Sequence, residues 1–309
     1  MARVSTAGQN QLLIVDVLRQ QERLFDTQKQ VTSGTKSREY QGIAADVATL
    51  AGAKTVRSRG EQFLKTNLEL ERVTEVQNLS LQGIVDVADD LRENLIKAMN
   101  VGSGIGLRDT IDALFDAAVN FLNVQENGRF VFGGTRTDVE PVTVRLPADL
   151  EALGAGNANQ AFINNQIKAQ ARVDESLTVT YGVLADEVAG PLFQLFQDLM
   201  IYASGTPSAF SNPLSTADRT FILSKIPEAN AAFDVANTVQ AEHGVAMRTI
   251  EDAQVRHENE LAFINRFIAN IEDTDIGEAV TKLNQDQLAL ESSFRVFSQL
   301  NRLSLLNFI

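Results

Sequence analysis

Apolar residues near the C-terminus recur at alternating steps of three and four, which is the spacing of an amphipathic helix. The members of this stripe are Ile276, Val280, Leu283, Leu290, Phe294, Phe297, Leu305 and Phe308. A weaker stripe marks the N-terminus, with Leu13, Val17, Leu24 and Val31 on one line and Leu18 and Phe25 beside it. Neither end has a compact set of apolar partners nearby in sequence. We therefore expect the two ends to pair with each other or with copies of the chain.

Two longer helical patterns lie inside these ends. The first runs from about Ala45 to about Asn100, with apolar residues seven apart at Val56, Phe63, Leu70, Ile84 and Leu91 and one polar interruption at Gln77. The second starts at a predicted N-cap, Ser215 or Thr216 with Asp218, and continues to about Asn270. Ser and Asp favour helix starts because their side-chain oxygens accept hydrogen bonds from free backbone N–H groups. Two long helices that pack on each other are the expected result.

The middle of the chain has a different pattern. A shorter helix is predicted over 107–124, stopped by Gly128, and another over 187–203. Between them, short β-type runs cover 130–132, 142–144, 169–173 and 177–181, among Gly, Asn, Asp and Pro residues. The segment 174–176 separates the last two runs and could close a hairpin. The order is helix, small β-rich insert, helix.

These patterns predict a mainly α protein. The expected fold is a long antiparallel helical bundle or coiled-coil rod, built from both chain ends, with a small β-rich inserted domain. We expect three parts. They are a terminal coiled-coil assembly domain (1–42 with 271–309), a helical rod domain (43–128 with 214–270) and a β-rich outer insert with one helix (129–213).

Composition narrows the class of protein. The chain of 309 residues has no cysteine, so it holds no disulfide, no thiolate nucleophile and no cysteine metal site. Its net charge of −13 argues against binding to nucleic-acid phosphates. No apolar run approaches the 18 or more residues of a membrane span, and the start of the chain lacks the apolar core of a Sec-type signal peptide. We expect neither a nucleic-acid partner nor a membrane partner.

No catalytic constellation is recognisable. The two histidines, His243 and His257, would lie roughly 21 Å apart on one helix, too far for one metal ion or one proton relay. The loop from Gly102 to Gly106 follows a helix rather than a strand, so it does not fit a dinucleotide fingerprint. The acidic clusters lack the spacing of a calcium loop. We predict no catalytic residue, no cofactor and no metal ligand, and hence no enzyme.

Two motifs near opposite ends carry a family resemblance. The segment 271–280, Ile-Glu-Asp-Thr-Asp-Ile-Gly-Glu-Ala-Val, resembles the Ile-Glu-Asp-x-Asp segment that opens the last helix of bacterial flagellins and their junction relatives. The segment 30–38, Gln-Val-Thr-Ser-Gly-Thr-Lys-Ser-Arg, is similar to the Leu-Ser-Ser-Gly-x-(Arg/Lys) loop that ends the first flagellin helix. The two segments occur in the expected order, so the chain is identified with the flagellin superfamily.

Two further segments resemble the hook–filament junction proteins of that superfamily, the hook-associated type. Residues 130–138, Phe-Val-Phe-Gly-Gly-Thr-Arg-Thr-Asp, with Pro141 following, are similar to their Phe-(Ser/Ala)-Gly-Thr-x-Thr-Asp-x-x-Pro motif. The last residues, 304–309, resemble their Ser-Leu-(Leu/Phe)-(Asp/Asn)-Tyr-Leu tail, with Phe308 in place of the commoner Tyr.

This resemblance implies a structural adaptor of the extracellular flagellum, secreted through the flagellar type III channel. The implied partners are copies of the chain in a ring or tube, a neighbouring junction protein, flagellin and an export chaperone. A flagellin, the filament subunit itself, is the alternative, and a binding or enzymatic module in residues 130–213 is a third hypothesis. For subunit contact we predict Leu13, Val17, Leu24, Leu283, Leu290, Phe294, Phe297 and Leu305.

Overall fold

The computed structural model describes residues 6–37 and 46–306. The described part is dominated by seven α-helices, which confirms the predicted mainly α fold with a small β part. The helices are α1 (Thr6–Ser33), α2 (Val47–Val101), α3 (Leu107–Leu122), α4 (Pro147–Ala152), α5 (Ala185–Gly205), α6 (Thr216–Glu272) and α7 (Ile276–Leu306). The strands are β1 (Gln125–Glu126), β2 (Arg129–Phe130), β3 (Gln170–Arg172) and β4 (Thr178–Thr180). A short 3₁₀ helix covers Ala158–Ala161.

The chain divides into two compact units. The terminal unit contains residues 1–60 and 259–309, and the central unit contains residues 61–258. The helices α2 and α6 are each divided between the two units. The division falls after residue 60 in α2 and after residue 258 in α6. The three-part division expected from the sequence stays a prediction.

The core of the central unit is built around phenylalanines. Phe115 of α3 meets Phe193 and Phe196 of α5, with ring centroids 5.4 and 5.7 Å apart in tilted and edge-on arrangements. Phe132, which follows β2, is also fully buried. The second half of α2 approaches α3 closely at Gly83, where an added Cβ would lie 2.5 Å from the Phe121 ring. Any larger residue there would have to displace this ring.

Within the central unit, α2 and α6 run antiparallel and meet through a row of polar groups. The Gln240 amide donates to Gln82 Oε1 at 2.8 Å, and the Gln254 amide donates to Glu71 Oε2 at 3.0 Å. The polar interruption at Gln77 makes a different contact, since its amide donates to the carbonyl oxygen of Val131, just after β2, at 2.9 Å. The side chain of Gln77 is buried, so the interruption in the apolar stripe serves packing.

The insert has less strand than its sequence suggested. The hairpin β3–β4 forms as predicted, with Ala171 opposite Val179, and it is closed over residues 174–176. The predicted strand over 142–144 is wrong, because Val142 makes only a single bridge to Phe162. The prediction that Gly128 stops α3 is also wrong. The helix ends at Leu122, and Gly128, with φ 75°, sits in the two-residue turn between β1 and β2.

The predicted N-cap of α6 is present. Asp218 is fully buried, and one of its oxygens accepts hydrogen bonds from the Ser215 backbone N–H at 3.0 Å and the Ser215 hydroxyl at 2.7 Å. The other oxygen accepts from Tyr202 Oη at 2.9 Å and the Phe210 N–H at 3.1 Å. Burial raises the pKa of Asp218, but these donors outweigh it and lower the pKa to about 2. The carboxylate therefore joins the end of α5 to the start of α6.

The terminal unit has a much smaller core. The first turns of α2 and the last turns of α6 pack through Leu50, Ala53 and Ile268, all buried. Lys54 and Glu272 form an ion pair across the same two segments, with Nζ 2.5 Å from Oε1. Among the described residues, the other helices of this unit are α1 and α7.

Candidate assembly surface on the terminal helices

The helices α1 and α7 pack against each other in antiparallel order. The hydroxyl of Thr27, which is buried, donates to Asp286 Oδ2 at 2.9 Å, and the hydroxyl of Ser293 donates to Gln20 Oε1 at 2.8 Å. Gln20 and Thr27 are seven residues apart, as are Asp286 and Ser293 in the opposite direction. This is the spacing of an antiparallel seam with heptad periodicity. We call this line of contacts the α1–α7 seam.

At one end of the seam, backbone hydrogen bonds join the segment after α1 to the end of α6 and to the segment before α7. The N–H of Lys36 donates to the carbonyl oxygen of Glu272 at 2.7 Å, and the N–H of Thr274 donates to Gly34 at 2.9 Å. Asp275 then caps α7, accepting from the N–H groups of Gly277 at 2.8 Å and Glu278 at 3.1 Å. The two motifs that carried the family resemblance thus meet in the structure through residues 30–37 and 271–280, and we call this link the backbone clamp.

Most of the predicted contact residues lie along the α1–α7 seam. Their side chains are half-buried in the single chain: Leu13, Val17, Leu24, Leu283, Leu290 and Phe297. Phe294 is different, since 46% of its surface is exposed. Leu305 belongs to the last turns of α7, whose side chains lie outside the described part. The role of these residues in subunit contact stays a prediction.

A second set of apolar side chains lies on one outer side of the helix pair. A residue one position after a seam residue is turned by about 100° along an α-helix. In an antiparallel pair, this rotation brings the following residues of both helices to the same side of the seam. The apolar side chains there are Ile14, Leu18, Phe25, Val280 and Phe294, with Leu18 and Phe25 more than half exposed. We call these five residues the apolar face.

The opposite side of the seam is charged. A groove of about 680 Å³ runs along it, lined by Asp16, Arg19, Arg23, Asp26, Ser292 and Val296 among others. The Arg19 guanidinium lies 3.7 Å from the Asp16 carboxylate, and both side chains are largely exposed. The terminal helix pair therefore has an apolar face on one side and, on the other, a groove whose lining includes charged side chains of both signs. The sequence stripe mixed seam and apolar-face residues, because both sets repeat with the same period.

The groups that could support chemistry lie in the central unit and are used for packing. The His243 ring Nε2 is 2.9 Å from the carbonyl oxygen of Thr74, and the His257 Nε2 is 3.0 Å from that of Val173. Burial lowers the pKa of His243, against the opposing effect of its hydrogen bonds to backbone carbonyls. The Phe63 ring stacks on His257 with centroids 5.3 Å apart. Both histidine side chains are therefore buried and serve packing.

Across residues 6–37 and 46–306, no cluster of three or more His, Asp or Glu side chains has an arrangement suited to a metal ion. None of the helices in that part of the chain combines the length and apolar character needed to cross a membrane. The distinctive surface of the terminal unit is therefore the two-faced helix pair.

Comparison with known proteins agrees with this architecture. Residues 226–309, which contain most of α6 and all of α7, match the family described as the bacterial flagellin C-terminal helical region. No curated protein matches the sequence.

Solved structures extend the likeness over more of the chain. A protein from Vibrio parahaemolyticus, described as a flagellar hook-associated protein, aligns with a TM-score of 0.57 and 14% identity over 72% of this chain and 96% of its own. FlgL from Bacillus cereus aligns with a TM-score of 0.51 and 15% identity over 66% of this chain and 98% of its own.

The flagellin resemblance in the sequence motifs is thereby confirmed. Residues 226–309 match the bacterial flagellin C-terminal helical region, and the chain shares the fold of the two flagellar proteins with solved structures.

Proposed function

We propose that this chain is a structural adaptor of the bacterial flagellum, joining the hook side to the flagellin filament. The observation that carries the proposal is the apolar face of the terminal helix pair. Five apolar side chains exposed on one side of a pair of helices are more than a monomer needs to expose. Copies of the chain, packed side by side in a ring or tube, would bury them.

The energetics favour assembly as the use of this face. Burying one Leu or Phe side chain contributes about 1.5–3 kcal/mol. Leu18, Phe25 and Phe294 are each close to or above half exposed, so most of this energy is still available. A second copy of α1 and α7 offers the same residues in return, as symmetric assemblies require.

The identity of the neighbours rests on the fold. The two solved structures are a hook-associated protein and FlgL, and their likeness supports a junction role over that of a filament flagellin. We propose copies of the chain, a second junction protein and flagellin as partners, an export chaperone before secretion, and the extracellular flagellum as its location. We propose no catalytic activity.

The first experiment tests the apolar face directly. The variant Leu18→Asp with Phe294→Asp places a carboxylate in each helix on this face. We expect it to leave α1 and α7 helical, because neither residue is on the seam, and to abolish filaments when it replaces the natural chain in a bacterium. Electron microscopy of filaments and swimming assays are the readouts. Motile filaments at normal number would contradict the proposal.

A matched control removes two apolar residues from the opposite side. Leu12→Asp with Val296→Asp adds the same two charges, and both original side chains are well exposed. This variant should assemble normally. Loss of filaments in both variants would show that added charge, rather than loss of the apolar face, is responsible.

A quantity measurement separates the adaptor from the flagellin alternative. Sheared flagella should contain this chain as a trace component, at one end of the filament, because a junction is a short segment. A filament subunit would form the bulk of the same preparation. Bulk abundance would favour the flagellin alternative while leaving the apolar face as the assembly surface.

A further inference from the structure

We infer that the two polar pairs in the α1–α7 seam, Thr27 with Asp286 and Gln20 with Ser293, determine the register in which α1 pairs with α7. They are specificity-determining residues of the helix pair, and their role concerns which residues face each other rather than how tightly the helices bind. The inference about register concerns contacts within one chain and can be tested on the monomer. Its consequence for the apolar face rests on the proposed function.

The apolar seam residues by themselves accept more than one register. In the observed register the polar pairs bring Leu24 to the level of Leu290. Sliding α7 by one heptad in either direction would bring Leu24 to the level of Leu283 or of Phe297. Each of these is a large apolar residue at the same heptad position, so the gain from apolar burial changes little between registers.

The polar pairs discriminate against the slip that brings Leu24 to the level of Phe297. That slip would place the Asp286 carboxylate opposite Gly34 and move Gln20 away from Ser293, so a charged group would lose its donor. The opposite slip would bring Gln20 to Asp286, with which it can form a hydrogen bond.

The cost of the slip falls on Asp286 rather than on the hydroxyls. The Thr27 hydroxyl also lies 2.9 Å from the carbonyl oxygen of Arg23, and the Ser293 hydroxyl lies 2.8 Å from that of Ala289, so both keep an acceptor within their own helix.

The backbone clamp acts at one end only. The bonds between Lys36 and Glu272 and between Thr274 and Gly34 fix the chain near the start of α7. The Gln20–Ser293 contact lies two heptads further along α1, where a gradual shift could develop. The two polar pairs therefore hold the register along the part of the seam that the clamp does not reach. A fixed register also determines which α1 residues of the apolar face lie at the same height along the pair as Phe294.

The absence of cysteine makes this testable by disulfide trapping, since introduced thiols have no competitors. One reporter, Leu24→Cys with Ala289→Cys, reads the observed register. A second, Leu24→Cys with Val296→Cys, reads the register slipped by one heptad. Both are made in the full chain, oxidised as dilute monomer, and scored for intrachain disulfide by gel mobility. We expect the first reporter to form its disulfide in about tenfold excess over the second.

The test variant replaces both pairs by apolar residues: Gln20→Leu, Thr27→Val, Asp286→Leu and Ser293→Ala. We expect its helicity to be retained and its slipped disulfide to rise about tenfold. The separate variant Asp286→Asn keeps an acceptor for the Thr27 hydroxyl. It should therefore retain the preference of the natural chain for the first disulfide. The pair Thr27→Val with Asp286→Leu, made alone, gives the same reading if the fourfold variant fails to fold.

Two results would overturn the inference. Equal yields from the two reporters in the otherwise natural chain would mean that no register is selected. An unchanged preference in the apolar variants would mean that the backbone clamp suffices. Neither result depends on filament assembly, so failure here is distinguishable from failure of the proposed function.

Discussion

The central unit and the terminal unit contain helices of similar periodicity but use their apolar residues differently. In the central unit, Phe115, Phe193 and Phe196 are fully enclosed by neighbouring elements of the same chain. In the terminal unit, the seam residues are only half-buried, and Phe294 and Leu18 remain exposed. An apolar stripe in a sequence thus predicts that one face of a helix will be buried. It does not indicate whether the partner that buries this face belongs to the same molecule.

The largest expected difference between the units comes from a core truncation. Phe115→Ala should destabilise the central unit by about 3–5 kcal/mol, because it removes a ring from a closed aromatic cluster. Hydrogen-exchange mass spectrometry of the full chain should show faster exchange across α3 and α5. Peptides from α1 should be unaffected, since α1 packs on α7 within the terminal unit. Equal acceleration in α1 would mean that the units unfold as one.

The buried cap gives the next largest effect. Asp218→Asn should cost about 1–3 kcal/mol at neutral pH, because an amide cannot accept all the hydrogen bonds that the carboxylate receives. The folded pKa of Asp218 is about 2, below the value of 3.8 for an unperturbed Asp. The carboxylate therefore contributes stability above pH 3.8, and this contribution is lost as the pH falls through 2.

Denaturant titrations at several pH values measure this effect. The stability difference between the natural chain and Asp218→Asn should shrink steadily as the pH falls through the acidic range. Asp90→Asn, at an exposed position of α2, is the control and should change little at any pH. A difference that stays constant with pH would argue against a charged Asp218 in the folded state.

A matched pair of truncations sharpens the contrast inside the terminal unit. Leu24→Ala, on the seam, should destabilise the α1–α7 pair by about 1–2 kcal/mol, less than a fully buried leucine would. Phe294→Ala, on the apolar face, should change monomer stability by less than about 0.5 kcal/mol. Exchange rates of α1 and α7 amides in the monomer report both. A large effect of Phe294→Ala would mean that its ring already packs within the chain.

The smallest effect concerns the buried imidazole in the central unit. Because the pKa of His243 is lowered on folding, the unfolded chain binds more protons below about pH 6.5, and stability falls as the pH falls through that window. His243→Gln keeps a donor for the Thr74 carbonyl and should flatten this slope, by at most about 1.4 kcal/mol per pH unit. An unchanged slope would assign the dependence to other groups.

Much of the fold could be predicted because its signals are local and periodic. The bounds of α1, α2, α6 and α7, the cap at Ser215 and Asp218, and the hairpin β3–β4 follow from heptads, caps and turns. The strand predicted over 142–144 is wrong because alternating valines also occur in buried segments without regular structure. Val142 and Val144 are both buried, but only Val142 forms a β-bridge, to Phe162. Neither α4 nor β1 carries a pattern long enough to detect, and of the run predicted over 130–132 only Phe130 lies in a strand.

The assembly surface could be predicted only in part. The heptad spacing located the right helices, but it could not separate Phe297, on the seam, from Phe294, on the apolar face. That distinction depends on which side of α7 meets α1, and the side is set by contacts such as Thr27 with Asp286, which join residues 259 positions apart. No local pattern encodes such a pairing, although the polar residues inside the apolar stripes mark its position.

The backbone clamp also has a mechanical consequence. Because α1 and α7 are antiparallel and linked beside Ser33 and Ile276, the start of α1 and the end of α7 lie together at the opposite end of the pair. A force that separates these two helix ends sideways would open the seam one contact at a time. A force that slides one helix along the other would load the polar pairs and the clamp together, in shear. The pair should therefore resist tension along its own axis far better than peeling from its free end.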